Sequence, residues 1–173
     1  MTRTKMRKDM EALADFLEDI GWDTQVLIES VSIPTLTASL TLDEDYDELL
    51  VFNYIPMKKE DAEFTKLLQI YGRIPLDLHT LPLEDVHLLM NRMNLLTTFG
   101  HFVLMPEEEK EETYMGLRCV LGIPMEELPD EGVIGEAVLH ITHYCQIMES
   151  LLLGLLTGKS TLAETLASIE SRL

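Results

Sequence analysis

The chain has 173 residues, 46% of them hydrophobic, and its 31 acidic residues against 13 Lys and Arg give a net charge of −18. This length and apolar content suffice for one sizeable core, so we predict a single domain over residues 1–173. The acidic surface would repel phosphate backbones and anionic lipid, which argues against nucleic acid and membrane as partners.

The first half of the chain predicts one helix followed by strands. Apolar residues spaced by three and four from Lys5 to Ile20 are typical of an amphipathic helix, and Gly21 is placed to end it. The strand-like runs that follow are Trp22–Pro34, Leu36–Leu42, Leu49–Ile55 and Phe64–Ile74, with polar turns at Asp43–Asp47 and Lys58–Ala62. The fourth run is ambiguous, because its first part, Phe64–Ile70, also fits a helix.

The second half predicts two long helices around a hairpin. Leu83 begins the first helix and Gly100 ends it. The hairpin pairs Phe102–Met105 with Tyr114–Ile123 across the acidic turn Glu107–Glu112. A very apolar helix, Val133–Leu156, comes next, and Ser160 is the expected N-cap of a short terminal helix, Thr161–Leu173.

We therefore predict an α+β fold with a twisted antiparallel sheet flanked by helices, in the order α-β-β-β(-β)-α-β-β-α with a short C-terminal helix. This order lacks the strict alternation of strand and helix found in most nucleotide-binding enzymes. The two cysteines, Cys119 and Cys145, are far apart and suit buried free thiols. The charged N-terminal segment is not an apolar signal core, so we expect a cytoplasmic protein.

The main chemical candidate is a cluster on the last long helix. Glu136 and His140 are four residues apart, and His143 follows three residues later, so that one helix face carries all three. Such a set is compatible with zinc, although the arrangement is not an HExxH motif. We find no glycine-rich phosphate loop and no nucleophile elbow, and nothing orients His101 and Cys119 as a catalytic pair. The expected cofactor is therefore none.

Residues Leu88–Leu156 resemble the YbjN-like proteins and, more distantly, the acidic chaperones of type III secretion. The features that carry the resemblance are the helix segment Leu88-Leu89-Met90-Asn91-Arg92-Met93-Asn94, then Phe99-Gly100-His101-Phe102-Val103-Leu104, the strand Leu117-Arg118-Cys119-Val120-Leu121, and Ile123-Pro124 before a Leu-rich helix. The resemblance implies a homodimer without enzymatic activity that binds extended segments of a client.

We therefore expect a non-catalytic dimeric protein-binding module, chaperone-like or regulatory, whose partner is a protein or peptide. Leu89, Met90 and Met93 are the residues expected at the dimer or partner interface, because methionine makes adaptable contact surfaces. The partner segment would be captured by an apolar face or by a strand edge. Two alternatives stay open: a metal-dependent enzyme using Glu136, His140 and His143, and a structural subunit of a larger assembly.

Overall fold

Four helices and six strands make up the computed structural model, which describes residues 1–29, 31–43, 46–58, 60, 63–107 and 112–172. The helices are α1 (Arg3–Asp19), α2 (Leu83–Leu96), α3 (Glu131–Leu156) and α4 (Leu162–Glu170). The strands are β1 (Asp23–Leu27), β2 (Thr35–Asp43), β3 (Tyr46–Tyr54), β4 (Thr65–Arg73), β5 (His101–Glu107) and β6 (Glu112–Pro124).

The strands form one open sheet in the order β1-β2-β3-β4-β6-β5. Neighbouring strands pair antiparallel, as in Leu36↔Phe52 between β2 and β3 and Phe102↔Leu117 between β5 and β6. The predicted α+β class, with an antiparallel sheet and helices in this order, is confirmed. Strands β1 and β5 are the two edges of the sheet.

The chain divides into two compact units. Unit 1 comprises residues 1–72 and 119–139, and unit 2 comprises residues 73–118 and 140–173. The single domain predicted for residues 1–173 stays a prediction. In unit 1 the core joins α1 to one face of the strands. Alternate residues of a strand point to the same face, so every second strand residue contributes to this core. Its fully buried members include Met10, Leu17, Leu36, Leu50, Phe52, Leu68 and Ile70.

Unit 2 has its own core, built from α2, the hairpin and the later part of α3. The buried members include Leu89, Met93, Phe102, Met115, Leu117, Ile141, Met148 and Leu152. Helix α4 packs beside α2, and its Ile169 is fully buried. Both cysteines are buried free thiols, as expected.

The predicted strand Trp22–Pro34 is too long, because β1 ends at Leu27. The guanidinium of Arg3 explains the early end. It donates hydrogen bonds to the carbonyl oxygen of Ile28, to that of Val31 at 3.0 Å and to that of Ser32 at 3.2 Å. Carbonyl groups gathered around one side chain no longer project alternately, so a β ladder does not continue through them.

Strand β4 covers Thr65–Arg73, so the run Phe64–Ile70 is strand from Thr65 onward and the helical alternative is wrong. Helix α2 ends at Leu96 and not at Gly100. Gly21 does end α1: it has φ of +96°, and the amides of Gly21 and Trp22 donate to the carbonyl groups of Glu18 and Leu17. These two hydrogen bonds together form a Schellman motif, which favours glycine at the position of Gly21.

The N-cap of α4 is Thr161, not Ser160 as predicted. Thr161 and Glu164 form a capping box, in which each side chain bonds the backbone amide of the other. That motif needs a spacing of three residues, which Thr161 has and Ser160 lacks. The predicted irregularity of the first strand near Ser30 and the middles of the turns Asp43–Asp47, Lys58–Ala62 and Glu107–Glu112 lie outside the described residues.

Candidate binding cleft

A cleft of about 160 Å³ lies in unit 1 where four segments meet: the start of α1, the end of β3, the start of β4 and the turn after β6. We call it the methionine cleft. Its lining residues are Met1, Met6, Tyr54, Ile55, Pro56, Met57, Lys66 and Met125. Half of these side chains are methionine, and the lining combines an apolar wall with one charged side chain and one hydroxyl group.

The charged side chain belongs to a buried ion pair. The Nζ of Lys66 lies 2.5 Å from Oδ2 of Asp9, and the side chains of both residues are 2% exposed. The Tyr54 hydroxyl donates to the same oxygen of Asp9 at 2.7 Å. Two charges removed from water in this way are tolerated only when they are paired and hydrogen-bonded, and this network satisfies both conditions.

The ammonium group of Lys66 has two acceptors within hydrogen-bond distance among the described residues. These are Asp9, at the distance given above, and the carbonyl oxygen of Glu127 at 2.6 Å. An ammonium group carries three N–H donors, so one donor is left on a side chain that lines the cleft. The Tyr54 ring also lies under this group, with its centroid 5.4 Å from Nζ.

Tyr54 is held in its neutral form. Burial raises the pKa of its phenol far above the usual value, and the hydrogen bond and negative charge of Asp9 raise it further. At neutral pH the hydroxyl is therefore a fixed donor to Asp9. The polar side chains that line the methionine cleft are therefore Lys66 and the neutral Tyr54, and both are hydrogen-bonded to Asp9.

Eight of the ten methionines fall into two kinds of environment. Four are fully buried core residues: Met10, Met93, Met115 and Met148. Four others line the methionine cleft, and each of these is at least partly exposed. Phe64 is a further exposed apolar residue of unit 1: it is 76% exposed, and its carbonyl oxygen accepts from the amide of Met125 at 2.9 Å.

The histidines of the sequence-derived metal candidate take part in an aromatic cluster of unit 2. The ring of His140 stacks on Tyr144 with centroids 6.4 Å apart and lies 5.9 Å from Phe99, and His143 meets the edge of Tyr144 at 5.6 Å. Glu136 is an exposed residue of unit 1. Within the described part of the chain, no three His, Cys, Asp or Glu side chains are grouped so that they could hold a metal ion.

The expected interface residues of α2 lie in different environments. Leu89 and Met93 are fully buried in unit 2, whereas Met90 is partly exposed. The exposed apolar residues of α2 are Leu83, Leu88 and Leu95. Leu88, Asn91 and Leu95 project on one side of the helix, since they are spaced by three and four residues, and we call them the outer stripe.

The exposed edge of β5 is partly closed to strand addition. The Asn94 side chain accepts from the Phe102 amide at 2.6 Å and donates to the Phe102 carbonyl oxygen at 3.3 Å. These groups therefore point away from β6, and so do those of Leu104 and Pro106, because directions alternate along a strand. Since proline has no N–H, Leu104 keeps the only complete donor and acceptor pair facing outward between Phe102 and Pro106.

Sequence reasoning missed Asp9, Lys66 and Tyr54. The signal that was available is a charge on an apolar face. Asp9 lies three residues after Met6 and four before Leu13, within the apolar face of α1, and Lys66 alternates with Leu68 and Ile70 on the buried face of β4.

None of the described helices has the length and apolar character needed to cross a membrane. No protein-family model, curated protein or solved structure matches this chain.

Proposed function

We propose that this chain is a non-catalytic, dimeric protein-binding module that holds a segment of a partner protein in the methionine cleft. The observation that carries the proposal is the composition of that cleft, in which flexible thioether side chains surround a single buried ammonium group. Methionine side chains adapt to different apolar shapes, and such surfaces are typical of proteins that bind several related segments.

The edge of β5 argues against strand addition at that edge. Asn94 occupies both outward groups of Phe102, and Pro106 offers no donor. A partner strand on this edge would find few main-chain hydrogen bonds. The methionine cleft instead offers apolar contact together with one polar group to set orientation, which is the usual composition of a specific pocket.

For the homodimer we propose the outer stripe of α2 as the contact and a second copy of this chain as its occupant. Leu89 and Met93 are excluded from direct contact by their burial within unit 2. Leu88 and Leu95 are 39% and 63% exposed, and Asn91 lies between them. The stripe carries no charge in a chain of net charge −18, so two copies meet there with less repulsion than elsewhere, and an asparagine between leucines sets register in paired helices.

The experiment is a peptide-library selection against the wild-type protein, followed by binding measurements on variants. Met57→Asp places a charge in the wall of the methionine cleft, and Met105→Asp is the matched control, since Met105 is an exposed methionine of unit 2. We expect the selected peptides to lose at least tenfold in affinity for Met57→Asp and to keep their affinity for Met105→Asp. Thermal melts establish that both variants are folded.

Peptide binding that survives Met57→Asp, or a selection that enriches no sequence, would contradict the proposed role of the methionine cleft. Catalytic turnover traced to the folded chain would contradict the non-catalytic assignment.

A further inference from the structure

We infer that the methionine cleft takes one neutral, apolar residue from the interior of an extended partner segment, whose backbone carbonyl oxygen accepts a hydrogen bond from the Nζ of Lys66. This inference rests on the proposed function, and it names the chemical class of the occupant.

The volume of the cleft limits the occupant to one side chain. A cavity of roughly 150 Å³ accommodates a ligand about as large as a benzene ring. At about 160 Å³ the methionine cleft has room for a single side chain of the size of leucine, methionine or phenylalanine. A larger ligand or a second side chain would have to lie outside, where Phe64 is exposed.

The charge state of the Lys66–Asp9 pair selects a neutral acceptor. Lys66 and Asp9 neutralise each other at 2.5 Å. A carboxylate entering the cleft would add an uncompensated negative charge close to Asp9 in a region shielded from water, and a cation would meet Lys66. A peptide carbonyl oxygen accepts the remaining N–H of Lys66 and brings no charge. An internal residue of a segment therefore fits better than a chain terminus.

The walls favour unbranched aliphatic side chains. Met6, Met57 and Met125 are each partly exposed at the cleft, and a thioether chain adjusts its torsions to follow a flexible guest. Phe64 is tied to the cleft by the hydrogen bond between its carbonyl group and the Met125 amide. It offers a second apolar contact for the residues that flank the bound one, as an extended segment requires.

The test uses wild-type protein labelled with ¹³C at the methionine methyl groups. The probes are N-acetyl-norleucine N-methylamide, which is neutral, and N-acetyl-norleucine, which carries a carboxylate. We expect the amide to shift the signals of Met6, Met57 and Met125 in a saturable way. The signals of the buried core residues Met10, Met93, Met115 and Met148 should stay in place, so they serve as internal controls. The acid should bind at least tenfold more weakly.

A double variant, Asp9→Asn with Lys66→Met, tests the hydrogen bond itself. It removes both charges together and keeps an oxygen for the Tyr54 hydroxyl. We expect it to lose at least fivefold in affinity for the amide probe, while the core methyl signals report whether it is folded. If it does not fold, the comparison of amide with acid on the wild-type protein still decides the inference.

Equal binding of amide and acid, or unchanged amide binding by the folded double variant, would overturn the inference about Lys66. If neither probe moves the cleft signals while selected peptides still bind in a cleft-dependent way, the inference is wrong and the proposed function stands. Peptide binding that survives Met57→Asp is the separate result that overturns the proposed function.

Discussion

At the scale of single residues, Asp9 and Lys66 show how a charged pair is accommodated in a core. Each side chain is 2% exposed, so neither has water to replace a lost partner. The desolvation cost of one buried ion amounts to several kcal/mol, and it is offset only by the other ion and by further hydrogen bonds. Tyr54 and the Glu127 carbonyl group supply those further bonds.

The pair predicts a strongly non-additive mutant cycle. Lys66→Met alone leaves a buried carboxylate and should lower the free energy of unfolding by about 3–5 kcal/mol, and Asp9→Asn alone should act similarly. The double variant removes both charges and should cost much less than the sum. Urea unfolding of the four proteins measures this. Additive losses would show that the two charges do not stabilise each other.

Tyr54 predicts a loss of stability in alkali. Its raised pKa means that the folded state keeps the phenolic proton while the unfolded chain releases it near the ordinary value of about 10. The stabilisation is therefore complete below about pH 10 and declines as the pH rises further. We expect Tyr54→Phe to unfold more easily at about pH 8, by roughly 1–3 kcal/mol, but to lose less stability between about pH 8 and about pH 10.5.

The measurement is the free energy of unfolding in urea at both pH values. Tyr144→Phe, which removes a phenol hydroxyl from unit 2, is the control for the general effect of losing a tyrosine. An equal alkaline loss in the wild-type protein and in Tyr54→Phe would mean that Tyr54 ionises at its ordinary pKa in the fold.

At the scale of elements, side chains decide where strands end and which edges stay open. Arg3 gathers the carbonyl groups that follow β1, and Asn94 covers the first outward groups of β5. Both side chains bond backbone groups. Arg3 lies on α1, far in sequence from the loop after β1, and Asn94 lies on α2, separated by a turn from β5. An uncovered edge is a template for association, so the Asn94 contacts make β5 less available for it.

Asn94 therefore predicts an effect on both stability and association. Asn94→Ala removes the two hydrogen bonds to Phe102, and we expect a loss of about 1–3 kcal/mol together with concentration-dependent association through β5. Asn94→Asp keeps the acceptor for the Phe102 amide and should give a smaller effect. Urea unfolding and light scattering over a concentration series measure the two quantities. If Asn94→Ala associates no more than the wild-type protein, the edge is not what Asn94 protects.

At the scale of the whole molecule, charge is distributed unevenly along the chain. Four of the 13 basic residues stand at Arg3, Lys5, Arg7 and Lys8, and three of these already have partners. Arg3 binds loop carbonyl groups, Lys5 lies 2.5 Å from Glu126 and Arg7 lies 2.7 Å from Glu11. The remaining surface is strongly acidic, so association between copies requires an uncharged contact.

The outer stripe supplies the corresponding prediction. Leu88→Glu combined with Leu95→Glu adds two negative charges per copy at the proposed contact, and we expect a dimer to become a monomer. Leu83→Glu is the matched control, because Leu83 is 61% exposed on α2 but lies outside the stripe. Size exclusion with light scattering gives the mass. A dimer that persists in the double variant, or a monomeric wild-type protein, would contradict the assignment.

Much of the fold followed from local patterns in the sequence. Apolar spacing of three and four predicted α1, α2 and α3, and strict alternation in Leu36–Leu42 predicted β2, because burial of one face depends on the period of the element. Gly21 marked the end of α1 for an equally local reason. The strand Trp22–Pro34 and the N-cap Ser160 failed, since a distant guanidinium group ends β1 and the spacing to Glu164 selects Thr161.

The candidate site depended on tertiary structure. The sequence by itself determined the elements, the acidic surface and the presence of a charge on the inward face of α1 and of β4, because each is a matter of composition or period. Only the tertiary structure decided that Asp9 and Lys66, 57 residues apart, meet, that Tyr54 joins them, and that methionines from separate segments line one cleft with Lys66 and Tyr54. Long-range pairing of this kind is set by how the elements pack, and no local period in the chain encodes it.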